Sequence, residues 1–159
     1  MIRKNRTAWV IRLKLSRLTR YEIELANLLS NSGNGLHCER IAGSGRRIKS
    51  VCDCIMTYTK QSYYVELKTT RKSLFRINGE VKTQLQRLTD FCIENGFNEP
   101  ILVVKFLRRG HVFMRLNGGL PKSINYYDFN KNPIRIIDFL SNNTLVSAVS
   151  FKGVEKVMC

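Results

Sequence analysis

Apolar residues recur with a helical period in three parts of the chain. The first stripe predicts a helix that begins at Thr19 and stops before Gly33, the second a helix over residues 83–95, and the third a helix over residues 133–140. The apolar positions of the first stripe are Tyr21, Leu25, Leu28 and Leu29. Those of the second are Leu85, Leu88 and Cys92, with Phe91 beside them.

Short runs rich in β-branched, aromatic and other apolar residues are typical of strands. They cover residues 36–41, 50–56, 63–68, 101–107 and 111–116. The run over 101–107 is apolar apart from Lys105, as expected of a strand covered on both faces of a sheet. The order of the elements predicts an α/β domain with a central mixed five-stranded sheet flanked by helices. A hairpin meander comes first, and a helical crossover leads to the remaining strands.

The predicted elements lie within residues 19–141, which are expected to form a single domain. Residues 1–18 form a basic N-terminal extension, and residues 142–159 are a tail without a pattern that assigns them a structure. Residues 69–82 are polar and basic, and Asn78-Gly79 within them is a turn signal. A chain of 159 residues can bury an ordinary core without disulfides or a structural metal.

The charge of the chain is strongly unbalanced. Lysine and arginine number 27 against 12 aspartate and glutamate residues, a formal net charge of +15 at pH 7. Such an excess opposes a compact fold through self-repulsion and indicates a polyanionic partner. Nucleic acid is the first candidate and an acidic membrane surface the second. No apolar run approaches the length of about 18 residues that a spanning helix needs, so no membrane partner is expected.

The N-terminus and the cysteines favour a protein of the cytoplasm, inside the cell and associated with its DNA. The first residues are basic and lack the long apolar region of a signal peptide. Five cysteines, an odd number, fit a reducing compartment. Cys52 and Cys54 are expected to point together into a core, on the face opposite Asp53. A zinc site built from His37, Cys38, Cys52 and Cys54 is an alternative whose spacing matches no common finger or ribbon.

Two carboxylates and a lysine on neighbouring predicted strands form the candidate catalytic group. A hairpin centred between Thr59 and Lys60 places Asp53 opposite Glu66, and Lys68 shares the face of Glu66. Cross-strand partners lie roughly 4.5–5.5 Å apart at Cβ, close enough for two carboxylates to share one divalent cation. The lysine could orient or help to deprotonate a water. A solvated ion-pair face would account for the same three residues, so their spacing alone does not distinguish a catalytic metal site from a set of surface ion pairs.

Four further segments carry a more specific pattern. They are residues 21–29 with E-x-E-L-x-x-L-L, residues 40–45 with R-x-A-G-S, and residues 86–91 and 101–107. Together with Asp53 and the sequence Glu66-Leu67-Lys68, they resemble the archaeal Holliday junction resolvases, within the PD-(D/E)xK nucleases. The resemblance covers about residues 17–116 and implies a restriction-endonuclease-like fold. Two positions depart from the family pattern. Cys52 occupies the position before the aspartate, where proline is usual, and Ile23 occupies a position that is often basic.

The resemblance implies a role for each matched residue. The implied catalytic residues are Glu22, Ser44, Asp53, Glu66 and Lys68. The implied metal ligands are Glu22, Asp53 and Glu66. The residues expected to contact DNA are Arg40, Ser44, Arg46, Arg47 and Lys49, the last three because a basic glycine-containing loop suits contact with phosphates. On spacing alone, Glu22 would instead be assigned to a capping box that Thr19 begins at the start of the helix. Lys105 matches a basic position of the family, and no definite role is assigned to it.

The resemblance implies an endonuclease that resolves four-way DNA junctions by Mg²⁺-dependent phosphodiester hydrolysis, with Mn²⁺ as a substitute. Family members work as homodimers that cut paired opposed strands, so a homodimer is expected, and no small-molecule substrate is. Two alternatives stay open at this point. One is a related nuclease that cleaves another DNA structure, and the other is a basic nucleic-acid-binding protein that keeps the fold without catalysis.

Overall fold

The computed structural model describes residues 19–33, 35–41, 51–117 and 119–152, and a six-stranded mixed sheet lies at its centre. The strands among these residues are β1 (His37–Arg40), β2 (Cys54–Tyr58), β3 (Gln61–Thr70), β4 (Leu74–Arg76), β5 (Ile101–Phe106), β6 (Gly110–Arg115), β7 (Ser123–Asn125) and β8 (Val146–Val149). The helices are α1 (residues 19–30), α2 (Gly79–Glu94) and α3 (Ile136–Ser141), with a 3₁₀ turn at Tyr126–Asp128.

The order across the large sheet is β1-β2-β3-β5-β6-β8. Neighbouring strands are antiparallel except β3 and β5, which are parallel because the connection through α2 returns the chain to the same end of the sheet. β4 and β7 pair in a separate two-stranded sheet. The predicted α/β class, mixed sheet and meander with helical crossover are confirmed. The sheet has one strand more than predicted.

The β2–β3 hairpin has the register that its sequence predicts, with Cys54 facing Val65. Thr59 and Lys60 form its turn with φ values of 48° and 64°. Two positive φ values give a two-residue turn the twist that matches the flanking strands. β3 continues to Thr70, so its last residues extend past the start of β2. This end of β3, beyond its pairing with β2, carries Glu66 and Lys68 of the candidate site.

Both faces of the sheet are covered, which explains why β5 is apolar. One face packs against α1 and α3 in a core that includes Leu25, Leu29, Val103, Phe113 and Phe139. The other face packs against α2 and the small sheet in a core that includes Leu85, Leu102, Val104 and Ile124. Residues on alternate sides of β5 therefore enter different cores, and only Lys105 of this strand is not fully buried.

The chain after residue 141 contributes regular structure that its sequence does not indicate. β8 pairs with β6 as the sixth strand, and Phe151 packs into the core beneath α3. α3 begins at Ile136 rather than at Pro133 because the Ile134 amide donates a hydrogen bond of 2.9 Å to the Ala148 carbonyl of β8. The residues before α3 are therefore tied to the sheet and are not available to the helix.

α2 begins about one turn earlier than its apolar stripe predicts. It starts at Gly79, and Asn78 is its N-cap with extended backbone angles, so Asn78-Gly79 starts a helix and is not an isolated turn. Leu85, Leu88 and Cys92 are buried, as predicted. None of the helices in the described parts of the chain is long and apolar enough to cross a bilayer.

Candidate active site

Asp53 lies immediately before β2 and is bound to the backbone of β3. Its amide donates to the Val65 carbonyl at 3.0 Å, and its Oδ2 accepts from the Leu67 amide at 2.8 Å. Leu67 stands between Glu66 and Lys68 in β3. The carboxylate of Asp53 is therefore fixed to the strand segment that carries two more of the predicted catalytic side chains.

The bond from the Asp53 amide to Val65 departs from the regular pairing of the hairpin. Cys54 packs in the core beneath α1, whereas Cys52 packs with Leu88 and Cys92 of α2 on the other face of the sheet. The prediction that the two thiols share one face is therefore wrong, although both are buried. The physical reason is the break in strand geometry at Asp53, which turns Cys52 to the opposite side.

Glu66 and Lys68 form a closed hydrogen-bonded group with Gln84 of α2. The Lys68 Nζ lies 2.7 Å from Glu66 Oε1 and 2.6 Å from Gln84 Oε1. The Gln84 Nε2 donates to the same Glu66 oxygen at 2.7 Å. The side chain of Glu66 is 3% exposed and that of Lys68 is 20% exposed, so this is not a solvated ion-pair face.

Gln84 is a site residue that the sequence analysis missed. It reaches Glu66 because α2 starts at Gly79, which brings the second turn of the helix over the end of β3. A glutamine on a helix carries no distinguishing signal, since most such side chains are solvated. Its contact depends on how the crossover helix packs, which the pattern of apolar residues does not specify.

Glu22 of α1 reaches the same region from the other face of the sheet. Its Oε2 lies 2.6 Å from Nε of Arg40, the last residue of β1, and both side chains are largely buried. The Ile41 amide donates to the Asp53 carbonyl at 2.9 Å, which holds the end of β1 against Asp53. The charges of Glu22 and Arg40 both act on the pKa of the Asp53 carboxylate, so these three side chains lie in one region of the fold.

The electrostatics of the group reflect burial and mutual repulsion. Burial raises the pKa of Glu66 to about 7, with the charge of Asp53 as the second cause, while Lys68 acts in the opposite direction. Burial also raises the pKa of Asp53, an effect opposed by the hydrogen bond from the Leu67 amide and increased by the charge of Glu22. The fold therefore holds acidic groups together in a setting that disfavours their ionised forms.

The oxygen donors of this group fit a hard divalent cation. Mg²⁺ binds through one or two carboxylates and keeps several waters, and a cation between Asp53 and Glu66 would relieve the repulsion that raises the pKa of Glu66. Across the described residues, no group of three or more histidine, cysteine, aspartate or glutamate side chains is arranged to hold a metal ion. Glu22 is bound to Arg40, so the geometry fits a site of two carboxylates with Glu22 at its edge.

The zinc alternative is not supported by the placement of its residues. The ring of His37 is exposed and lies 3.0 Å from Glu39, whereas Cys38 is buried beneath α1. Burial raises the pKa of Cys52 to about 12, which disfavours the thiolate that zinc binding requires. These four side chains therefore do not converge.

Several predicted DNA-contacting residues lie outside the described part of the chain. They are Ser44, Arg46, Arg47 and Lys49, all within residues 42–50. Lys105, which had no definite role, lies 2.6 Å from Glu24 Oε1 and 4.7 Å from the centre of the Tyr21 ring. The second glutamate of the helix motif thus binds Lys105 rather than facing the Asp53 group.

Comparison with known proteins points to one family. The model of the archaeal Holliday junction resolvase family (Hjc) matches residues 14–141. Among solved structures, the 1.6 Å structure of Archaeoglobus fulgidus Hjc, a Holliday junction resolvase from an archaeal hyperthermophile, is similar with a TM-score of 0.52. The two chains are 20% identical, and the match covers 69% of this chain and 88% of that one, which supports the restriction-endonuclease-like fold. No curated protein matches this chain.

Proposed function

Because this chain belongs to the archaeal Holliday junction resolvase family, we propose that Glu22, Asp53, Glu66 and Lys68 form the site at which it cleaves a DNA junction. The chain is a nuclease that resolves Holliday junctions. The observation that carries the proposed site is the hydrogen bond from the Leu67 amide to the Asp53 carboxylate. It holds the aspartate of the motif against the strand that carries its Glu-x-Lys sequence, in one largely buried group.

Asp53 and Glu66 would hold Mg²⁺, with Mn²⁺ as a substitute and Glu22 completing or orienting the ligand shell. A bound divalent ion would acidify a water and polarise the phosphoryl oxygen. Lys68 is held by Glu66 and Gln84 with its ammonium at the edge of the site, where it can orient a water or balance charge on the phosphate. Arg40 fixes the rotamer of Glu22 through their short ion pair.

Contact with the DNA backbone is proposed for Arg40 and for residues 42–50, which follow β1 in the sequence. This range includes Ser44, Arg46, Arg47 and Lys49, and Ser44 is proposed to approach the scissile phosphate. The described residue before it, Ile41, donates its amide to the Asp53 carbonyl at 2.9 Å, and the described residue after it, Val51, precedes Asp53 by two positions. The net charge of +15 supports a contact with many phosphates.

A homodimer is proposed because a four-way junction presents two opposed strands to be cut, and a two-fold dimer presents two equivalent sites. An aromatic patch on the α2 face suits such a contact. Tyr64, Phe91 and Phe97 pack against one another with ring centres 5.2–5.9 Å apart, and Phe97 is 45% exposed. Exposed apolar clusters of this kind are typical of protein interfaces. Selection of a junction would then rest on the shape of the DNA and not on base reading.

The proposed function is tested by comparing three substrates, a four-way junction, a flap and a linear duplex, with and without Mg²⁺. We expect paired cuts in opposed strands of the junction, dependence on Mg²⁺ or Mn²⁺, and little cleavage of the duplex. Preferential cleavage of the flap would point to a different branched substrate. Junction cleavage that continues in the presence of a metal chelator would overturn the metal-dependent mechanism. Fractionation of cells is expected to place the protein with DNA in the cytoplasm.

A further inference from the structure

An open cavity of about 910 Å³ lies beside the first turns of α1 and the turn between β5 and β6. Its described lining residues are Tyr21, Arg71, Lys105, Leu107, Arg108 and Arg109. Four of these six side chains are cationic, and none is acidic. Ligand cavities are mostly apolar with a few polar groups, so this composition indicates a ligand with negative charge.

The positive charge of the cavity is only partly compensated by the protein. Lys105 is paired with Glu24 at 2.6 Å. The ion pairs found among the described residues do not include Arg71, Arg108 or Arg109, which are exposed. Guanidinium groups that converge without carboxylates repel one another, and they suit phosphate because they donate two parallel hydrogen bonds to its oxygens.

The turn that presents these arginines is held in place by hydrogen bonds. Arg108 has a φ of 62°, in the left-handed region that residues other than glycine rarely adopt. The Arg109 carbonyl accepts from the Tyr126 hydroxyl at 3.0 Å, and the Arg109 guanidinium donates to the Arg71 carbonyl at 3.0 Å. The Leu107 amide donates to the Thr70 carbonyl at 2.9 Å. The cavity wall is therefore fixed to the end of β3.

The cavity adjoins the proposed cleavage site along two elements. Tyr21 precedes Glu22 in α1, and Lys105 is the register partner of Thr69, the residue after Lys68 in β3. Glu66 and Thr70 are separated by about 13 Å along the strand, at roughly 3.3 Å per residue. A DNA strand whose scissile phosphate lies at Asp53 and Glu66 can therefore extend past the end of β3 to this cavity.

We propose that this cavity binds a backbone phosphate of the cleaved strand, close to the scissile phosphate, through Arg71, Arg108 and Arg109. These residues are positioning residues that set which linkage reaches the carboxylates. The proposal rests on the proposed function for the location of the scissile phosphate. Binding of the flanking phosphate itself does not require cleavage.

The first test measures junction affinity over a range of salt concentrations without divalent metal, for Arg108→Asn and the matched control Lys60→Asn. Both positions are basic, exposed turn residues with left-handed φ values of 62° and 64°, a conformation that asparagine tolerates. The slope of the logarithm of junction affinity against the logarithm of salt concentration should fall in magnitude by about 0.9 in Arg108→Asn, because one phosphate contact is lost. The slope of Lys60→Asn should equal that of the wild type. An unchanged slope in Arg108→Asn, or an equal reduction in both variants, would overturn the proposal.

The second test locates the phosphate by replacing single junction linkages with neutral methylphosphonates. Replacement of one linkage close to the scissile position is expected to weaken binding of the wild type and of Lys60→Asn, but not to weaken binding of Arg108→Asn further. Losses that add independently at every linkage would contradict the proposed contact. Binding is measured without metal and does not depend on cleavage. If the wild type fails to cleave junctions, the proposed function is wrong, but the methylphosphonate result still tests whether the cavity binds a phosphate.

Discussion

The Asp53 carboxylate accepts a hydrogen bond of 2.8 Å from the Leu67 amide, so a side chain before β2 is coupled to the backbone of β3. Asp53→Ala leaves the Leu67 amide without this acceptor, at a cost of about 1–3 kcal/mol in the free energy of unfolding. Asp53→Asn keeps an oxygen acceptor and is expected to cost less. Urea unfolding of both variants measures the difference. Equal losses would show that the hydrogen bond contributes nothing to stability.

Glu66→Gln is expected to stabilise the metal-free protein at pH 8. Because the pKa of Glu66 is raised to about 7, the folded state binds its proton more tightly than the unfolded state does. Stability is therefore lost as pH rises from about 4.5 to 7, and removing the charge recovers on the order of 2 kcal/mol above that range. Thermal unfolding should show a higher melting temperature for Glu66→Gln without metal, and no further rise when Mg²⁺ is added, in contrast to the wild type. The control is Glu94→Gln, an exposed change on α2, which should match the wild type both with and without Mg²⁺.

Arg40→Lys tests whether the short ion pair with Glu22 orients that carboxylate. Lysine keeps the charge but loses the geometry of the guanidinium, so single-turnover cleavage at saturating DNA should fall about 10- to 100-fold. Arg135→Lys is a matched control, since Arg135 binds Asp138 at 2.9 Å on the exposed surface. A loss confined to DNA affinity, with an unchanged rate at saturation, would assign Arg40 to DNA binding alone.

His111 should make the protein sensitive to acid. Burial in β6 lowers its pKa to about 4, with Lys105 opposite it as the second cause and Glu24 acting in the other direction. The unfolded state binds the proton more tightly, so stability is lost as pH falls from about 6.5 to 4, by roughly 2–3 kcal/mol. His111→Phe should remove this dependence, whereas His37→Gln, at an exposed position, should retain it. Parallel pH curves for wild type and His111→Phe would contradict this account.

The sequence predicts most of the sheet because local signals and burial agree there. The apolar run of β5, the Thr59-Lys60 turn and the apolar stripe of α2 each specify one arrangement. β8 was missed because Val146–Val149 is short, and its pairing with β6 is a long-range contact that no local pattern encodes.

The candidate site was predictable only in part, for the same reason. The register that brings Asp53 near Glu66 follows from the hairpin, but Gln84 enters through the packing of α2, and Arg40 meets Glu22 across elements far apart in the chain. The turn of Cys52 to the opposite face depends on one hydrogen bond between Asp53 and Val65 that breaks the strand pattern. Such features are tertiary, and residue spacing does not reveal them.

Asp53, Glu66 and Lys68 are proposed to form a metal-dependent phosphodiesterase site. Cleavage of a four-way junction by Asp53→Asn, measured beside its affinity for the same junction, is the sharpest test of this site. We expect Mg²⁺-dependent cleavage to be abolished while affinity stays close to that of the wild type, because asparagine preserves the contact with Leu67 but is a poor ligand for the cation. Cleavage by Asp53→Asn at the wild-type rate would contradict it.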